Sequence, residues 1–155
     1  NSFCTLLVVL SPHRRFANSH CTTMSTDAKP QNWSATAEAY KHFEAFTGGF
    51  ARDAVDMLLK APAIRALLEA SAAGPDAAPV KVLDIAAGTG AACFAFAEAA
   101  FALVPGAKLD ITATDLSDKM LEGLRAHPRL AALQERVPAG ALTLRAEAAD
   151  MMDLA

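Results

Sequence analysis

The stretch that decides the fold is Val82-Leu83-Asp84-Ile85-Ala86-Ala87-Gly88-Thr89-Gly90. Its first half belongs to a short apolar, β-branched run, VKVLDI, which predicts a buried strand over 80–85. Ala86 to Gly90 is a glycine turn. Ala91 to Val104 is apolar on nearly every side, as in a helix sandwiched between a sheet and other helices. A strand that runs through glycines straight into a helix builds a ligand-binding turn. Glycine lets the backbone bend sharply and come close to a ligand. The helix start adds unpaired N–H groups and a partial positive charge. The turn alone suits any nucleotide-like ligand.

Working outward, Leu109 to Thr114 (LDITAT) and Ala141 to Ala146 (ALTLRA) predict two further strands. Ser117 caps a helix with Met120, Leu121 and Leu124 on one face; Pro128 interrupts it and Leu130 to Val137 resumes it. Strands alternating with helices predict a parallel sheet with right-handed crossovers and helices on both faces. The expected architecture is α/β, the first half of a doubly wound, Rossmann-like fold stopping after its third parallel strand. The expected strand order is third, second, first, which leaves VKVLDI as an exposed apolar edge.

Upstream, Trp33, Tyr40, Phe43, Phe46 and Phe50 recur with helical spacing, and Gly48-Gly49 is expected to break that helix. A second helix is expected over Phe50 to Lys60 and a third from Pro62 to about Ala70, followed by a loop, SAAGPDAAP, over 71–79. The expected organisation is a leader or transit-like segment over 1–30, cap helices over 31–78, and the first half of a cofactor-binding domain over 79–155. Met24-Ser-Thr-Asp reads as an ordinary soluble N-terminus, and FCTLLVVL over 3–10 is far shorter than the ~20 residues of a membrane span. The expected location is cytoplasmic, or an organelle matrix if 1–23 is a transit peptide.

The net charge of −3 carries no basic cluster, so no nucleic-acid partner is indicated. Cys4, Cys21 and Cys93 are odd in number and lack metal-ligand spacing, which predicts neither a disulfide framework nor a metal site. His42 and His127 have no partner at catalytic spacing and read as surface residues.

Two acids narrow the ligand. Asp84 ends the first strand just before the turn, where a carboxylate would repel a pyrophosphate and suits a cationic group, such as the amino group of a methionine moiety. Asp115 ends the second strand, where a carboxylate can accept two hydrogen bonds from the ribose hydroxyls of an adenosine. NAD enzymes share the ribose acid, so Asp84 discriminates. The pattern Gly88-x-Gly90-x-x-Cys93 also lacks the small third residue of a dinucleotide turn.

From about Trp33 to Ala155 the chain resembles the N-terminal portion of the class I S-adenosylmethionine-dependent methyltransferase family, of the small-molecule type. VLDIAAGTG is similar to the family's first motif, with Ala86 where many members have glycine. Asp115-Leu116-Ser117 followed by Met120-Leu121 is similar to the second. The resemblance implies that Asp150 binds the adenine amino group, that the Met151 N–H meets the adenine ring, and that the Trp33 to Tyr40 helix covers the methionine end. The expected cofactor-binding set is therefore Tyr40, Asp84, Ala86, Gly88, Gly90, Asp115, Leu116, Asp150 and Met151. The implied reaction is methyl transfer from S-adenosyl-L-methionine to a small-molecule acceptor. Acceptor-side residues usually come from the fourth strand onward, so no catalytic residue is named. The chain alone is expected to be inactive, with one wall of its crevice missing. The competing readings are an NAD(P)-binding Rossmann oxidoreductase and a non-catalytic methyltransferase-like scaffold.

Overall fold

The computed structural model describes residues 6–10 and 44–150. Within them lie four strands, β1 (Leu6–Leu10), β2 (Val80–Ile85), β3 (Leu109–Asp115) and β4 (Leu142–Ala148). Five helices accompany them: α1 (Glu44–Leu59), α2 (Pro62–Ser71), α3 (Ala91–Leu103), α4 (Asp118–Arg125) and α5 (Pro128–Arg136).

The sheet order is β1-β2-β3-β4. β2, β3 and β4 are parallel, and the in-step register (Ile85 opposite Thr114, Asp115 opposite Ala148) brings their C-terminal ends to one edge. That is the α/β arrangement expected from the sequence, with the third, second and first parallel strands side by side.

The bare edge expected at VKVLDI is not found. β1 pairs antiparallel along β2, with Leu6 opposite Ile85, Leu7 opposite Asp84 and Leu10 opposite Lys81. β1 lies inside the stretch read as a leader. Its uncharged run of leucine and valine has strand propensity, and the free N–H and C=O groups of an apolar edge offer it a template.

The helix break at Gly48-Gly49 is also corrected, because α1 runs through both glycines to Leu59. Two helical glycines cost about 2 kcal/mol relative to alanine. Packing offsets this: Val55 is buried, and Ala51, Leu58 and Leu59 pack against the main core. The aromatic stripe faces the other way. Phe46 and Phe50 are 66% and 63% exposed and stack edge to face at 4.9 Å, with Met57 exposed on the same face.

The core is centred on α3, whose Cys93, Phe94, Phe96 and Ala100 are wholly buried against Val80, Val82, Leu109 and Ile111 of the sheet and Leu68 of α2. Full burial of each large apolar side chain contributes about 1.5–3 kcal/mol. The loop before β2 is pinned by Lys108, whose Nζ donates to the carbonyls of Gly74 (2.8 Å), Pro75 and Ala77. That anchorage fixes where β2 enters the sheet. Pro128 opens α5 rather than only interrupting a helix. His127 is its N-cap, with Nδ1 accepting the Arg129 N–H at 3.1 Å and its ring 4.9 Å from that of Phe94. His127 is therefore a half-buried structural residue, not a plain surface one. Among the described residues no helix is long and apolar enough to cross a membrane.

Candidate functional site

In an open α/β sheet, ligands bind beyond the C-terminal ends of the parallel strands. Here that edge carries the turn from Ala86 to Gly90 between β2 and α3, the Asp115-Leu116-Ser117 link between β3 and α4, and Ala149-Asp150 after β4.

The turn is built on left-handed backbone. Ala86, Gly88 and Gly90 have φ of 58°, 56° and 95°. Gly90 is required twice over, since a Cβ there would stand 2.8 Å from Phe94 Cε2 and 3.0 Å from Leu124 Cγ. Ala86 is the only non-glycine residue with positive φ among the described residues. An L-residue pays about 1–2 kcal/mol for that conformation, so the turn holds strain at its first residue. Two backbone hydrogen bonds fix the loop: Ala87 N–H donates to Thr114 O at 2.9 Å, and Gly90 N–H to Ala87 O at 2.9 Å.

Asp115 is half-buried and bridges two loops. Its Oδ2 accepts the Gly88 N–H at 2.8 Å and its Oδ1 accepts the Ser117 N–H at 2.8 Å. Ser117 in turn caps α4, its Oγ accepting the Met120 N–H at 3.3 Å. An ionised carboxylate has about four lone-pair sites. Two are used by the backbone and two remain for a ligand.

Asp84 is the penultimate residue of β2 and is 0% exposed. Neither of its carboxyl oxygens has a hydrogen-bond partner at ordinary geometry, and Thr89 Oγ1 is likewise buried and unpartnered. Burial pushes the Asp84 carboxyl up to about 7; the nearby Cys93 N–H and thiol pull it back, and the Asp115 charge adds to the rise. The Cys93 thiol donates to Gly90 O at 3.3 Å. Burial, then the charge of Asp84, push that thiol far up, so it is no thiolate nucleophile.

The structure thus brings Asp84, Ala86, Gly88, Gly90 and Asp115 together at the ends of β2 and β3. Leu116 follows Asp115 and is 61% exposed beside it. Asp150 is exposed just past β4, where Ala149 N–H donates to Asp115 O at 3.1 Å. Tyr40 and Met151 lie outside the described residues, as does Trp33. Sequence reasoning passed over Thr89, whose hydroxyl is one of the orphaned buried groups. Its signal was a polar side chain between two glycines in an otherwise apolar turn.

Compared with protein-family models, with curated proteins and with solved structures, the chain shows no match.

Proposed function

We propose that this chain carries the cofactor half of an S-adenosylmethionine-dependent methyltransferase acting on a small molecule. One observation supports it above the others. A fully buried carboxyl, Asp84, has only the nearby Cys93 N–H and thiol beside it, with no hydrogen bond at ordinary geometry, and it immediately precedes a glycine turn that opens a helix. A buried polar group left unpaired costs about 1–3 kcal/mol; a ligand or an ordered water can supply the missing partner. A carboxyl in that place favours a cationic amino group and disfavours a pyrophosphate, which sets this reading above a nicotinamide-dinucleotide enzyme.

The residues fit such a cofactor. Asp115 offers its two free lone-pair sites to a ribose diol while its other two hold the Gly88 and Ser117 amides. Asp84, sealed and with its carboxyl pushed up to about 7, meets a cationic group through a bridging water, and the cation's charge favours its ionised form. Thr89 Oγ1 offers one more unused polar atom. Asp150 is assigned to the adenine edge by its place past β4, and Leu116 to an apolar contact with the same ring. S-adenosylmethionine supplies a sulfonium-bound methyl group for in-line displacement. The protein's part is to hold the donor in a fixed orientation. No described residue is assigned to the methyl acceptor. The test is a calorimetric titration of the chain with S-adenosylmethionine, S-adenosylhomocysteine and NADH.

A further inference from the structure

The two acids of the site have unlike surroundings. Asp115 is half-buried and accepts two backbone amides, from Gly88 and Ser117, each at 2.8 Å. Asp84 is 0% exposed, and neither of its oxygens accepts a hydrogen bond at ordinary geometry. A buried carboxylate with no partner is so costly that the group takes up a proton instead. The groups that face Asp84 do not supply the missing cation. From β3 it meets the like charge of Asp115, and from α3 the Cys93 N–H and thiol. Arg129 of α5 acts on that thiol, but its guanidinium is engaged by Glu98 through bonds of 3.0 and 2.7 Å. Lys81 stands on the other, exposed face of β2, and Leu7, opposite Asp84 on β1, does not titrate. Burial accordingly pushes the Asp84 carboxyl up to about 7. The cation that Asp84 lacks is left for a ligand to bring.

We propose that this site takes its ligand by exchange, an ammonium group of the ligand entering as Asp84 releases a proton to solvent. The carboxyl O–H bond breaks, the proton passes to water or buffer, and the carboxylate left behind meets the ammonium through the bridging water. The site thus gains one negative charge as it gains one positive. The exchange rests on the S-adenosylmethionine reading, whose amino-acid part supplies the ammonium, and adds to it a proton count and a pH dependence. Linkage gives the sign. Where the free chain holds the proton and the complex does not, affinity rises ~10-fold per pH unit. The window from about pH 5 to about pH 6 meets that condition. It lies below the folded value of Asp84 and above the ordinary carboxyl value of 3.8 toward which a cation returns it. An α-amino group keeps its own charge throughout, since it ordinarily titrates at about 7.7–8.0.

The test uses the whole chain and two ligands. S-adenosylhomocysteine carries the ammonium as its only cation; 5′-methylthioadenosine has the same adenosine and thioether but no amino-acid part. Calorimetry in buffers of different ionisation heat counts the protons released on binding. The carboxyl carbon NMR signal of Asp84, identified by its absence from Asp84→Asn, reports the proton directly. The exchange account expects a protonated Asp84 in the free chain at about pH 6 and the release of about one proton to S-adenosylhomocysteine binding. It expects a Kd ~10-fold tighter at about pH 6 than at about pH 5. 5′-Methylthioadenosine should release no proton and bind alike at both values. An ionised Asp84 in the free chain at about pH 6 would overturn the exchange whatever binds. S-adenosylhomocysteine binding without proton release would overturn it too, and would leave the cofactor reading in place. Equal release with both ligands would place the proton's source elsewhere and overturn it as well. If neither S-adenosylhomocysteine nor S-adenosylmethionine binds, the cofactor reading falls and the exchange with it.

Discussion

The carboxylate of Asp115 accepts the Gly88 amide at 2.8 Å and so ties the end of β3 to the turn that leaves β2. Its second oxygen holds Ser117 N–H at the same distance. One side chain thus shapes both loops on which the proposed adenosine would rest.

Asp115→Ala should therefore lower stability and affinity together. Two hydrogen bonds to a charged group are lost, each worth about 1.5–3 kcal/mol before water recovers part of it. We expect a fall of about 2–3 kcal/mol in urea unfolding and a ~30- to 1000-fold loss of cofactor affinity. Lost stability with unchanged affinity would make Asp115 a brace and no ligand. Lost affinity with unchanged stability would deny the brace.

Asp84 makes stability depend on pH with an unusual sign. Its folded pKa, about 7, stands above the ordinary carboxyl value of 3.8. Between those values the folded chain holds a proton that the unfolded chain has released, so stability falls as pH rises from about 4 to 7 and is level beyond. The effect is on the order of a few kcal/mol. Asp84→Asn removes it, so the variant should gain on the parent steadily between pH 4 and pH 7 in urea titrations. Parallel pH profiles for the two proteins would show that the carboxyl is not held neutral.

The two glycines of the turn should separate under substitution by alanine. Gly88→Ala meets the penalty of a left-handed residue, about 1–2 kcal/mol. Gly90→Ala adds a Cβ pressed against Phe94 and Leu124, and overpacking adds about 1–3 kcal/mol. Gly90→Ala should therefore be clearly the less stable of the pair. Equal losses would mean that the core around Phe94 yields to the extra carbon.

Ala86 offers the opposite experiment. Glycine there relieves about 1–2 kcal/mol of left-handed strain and gives back about 0.4–1 kcal/mol through a more flexible unfolded chain. Ala86→Gly should stabilise the protein slightly, by roughly 0.5–1 kcal/mol. A destabilised variant would show that the alanine methyl contributes packing that outweighs its strain.

The parts legible in the sequence were those with strong local chemistry. VLDIAAGTG announced a strand, a turn and a helix because the apolar run, the glycines and the apolar helix each obey a short-range rule, and the structure has all three. Pro62 and Ser117 marked helix starts for the same reason. The failures were tertiary. Gly48-Gly49 looked like a break because local propensity says so, while packing of Val55, Ala51 and Leu58 carries α1 through. FCTLLVVL carries no sign of which strand it pairs with, so an antiparallel partner for β2 could not be read from it. The Asp115 carboxylate was expected to face a ligand. That it also receives Gly88 depends on a loop closure between residues far apart in the chain, which no spacing rule encodes.

The central claim is that the turn from Ala86 to Gly90, which follows Asp84, receives S-adenosylmethionine. Isothermal titration calorimetry on the whole chain tests it most directly, with S-adenosylmethionine, S-adenosylhomocysteine and NADH as separate titrants and Gly88→Val as the control. The account predicts saturable binding of the first two with Kd tighter than about 1 mM, at least −4 kcal/mol, lost in the variant, and no heat from NADH. Binding of NADH with none of S-adenosylmethionine, or S-adenosylmethionine binding that survives Gly88→Val unchanged, would contradict it.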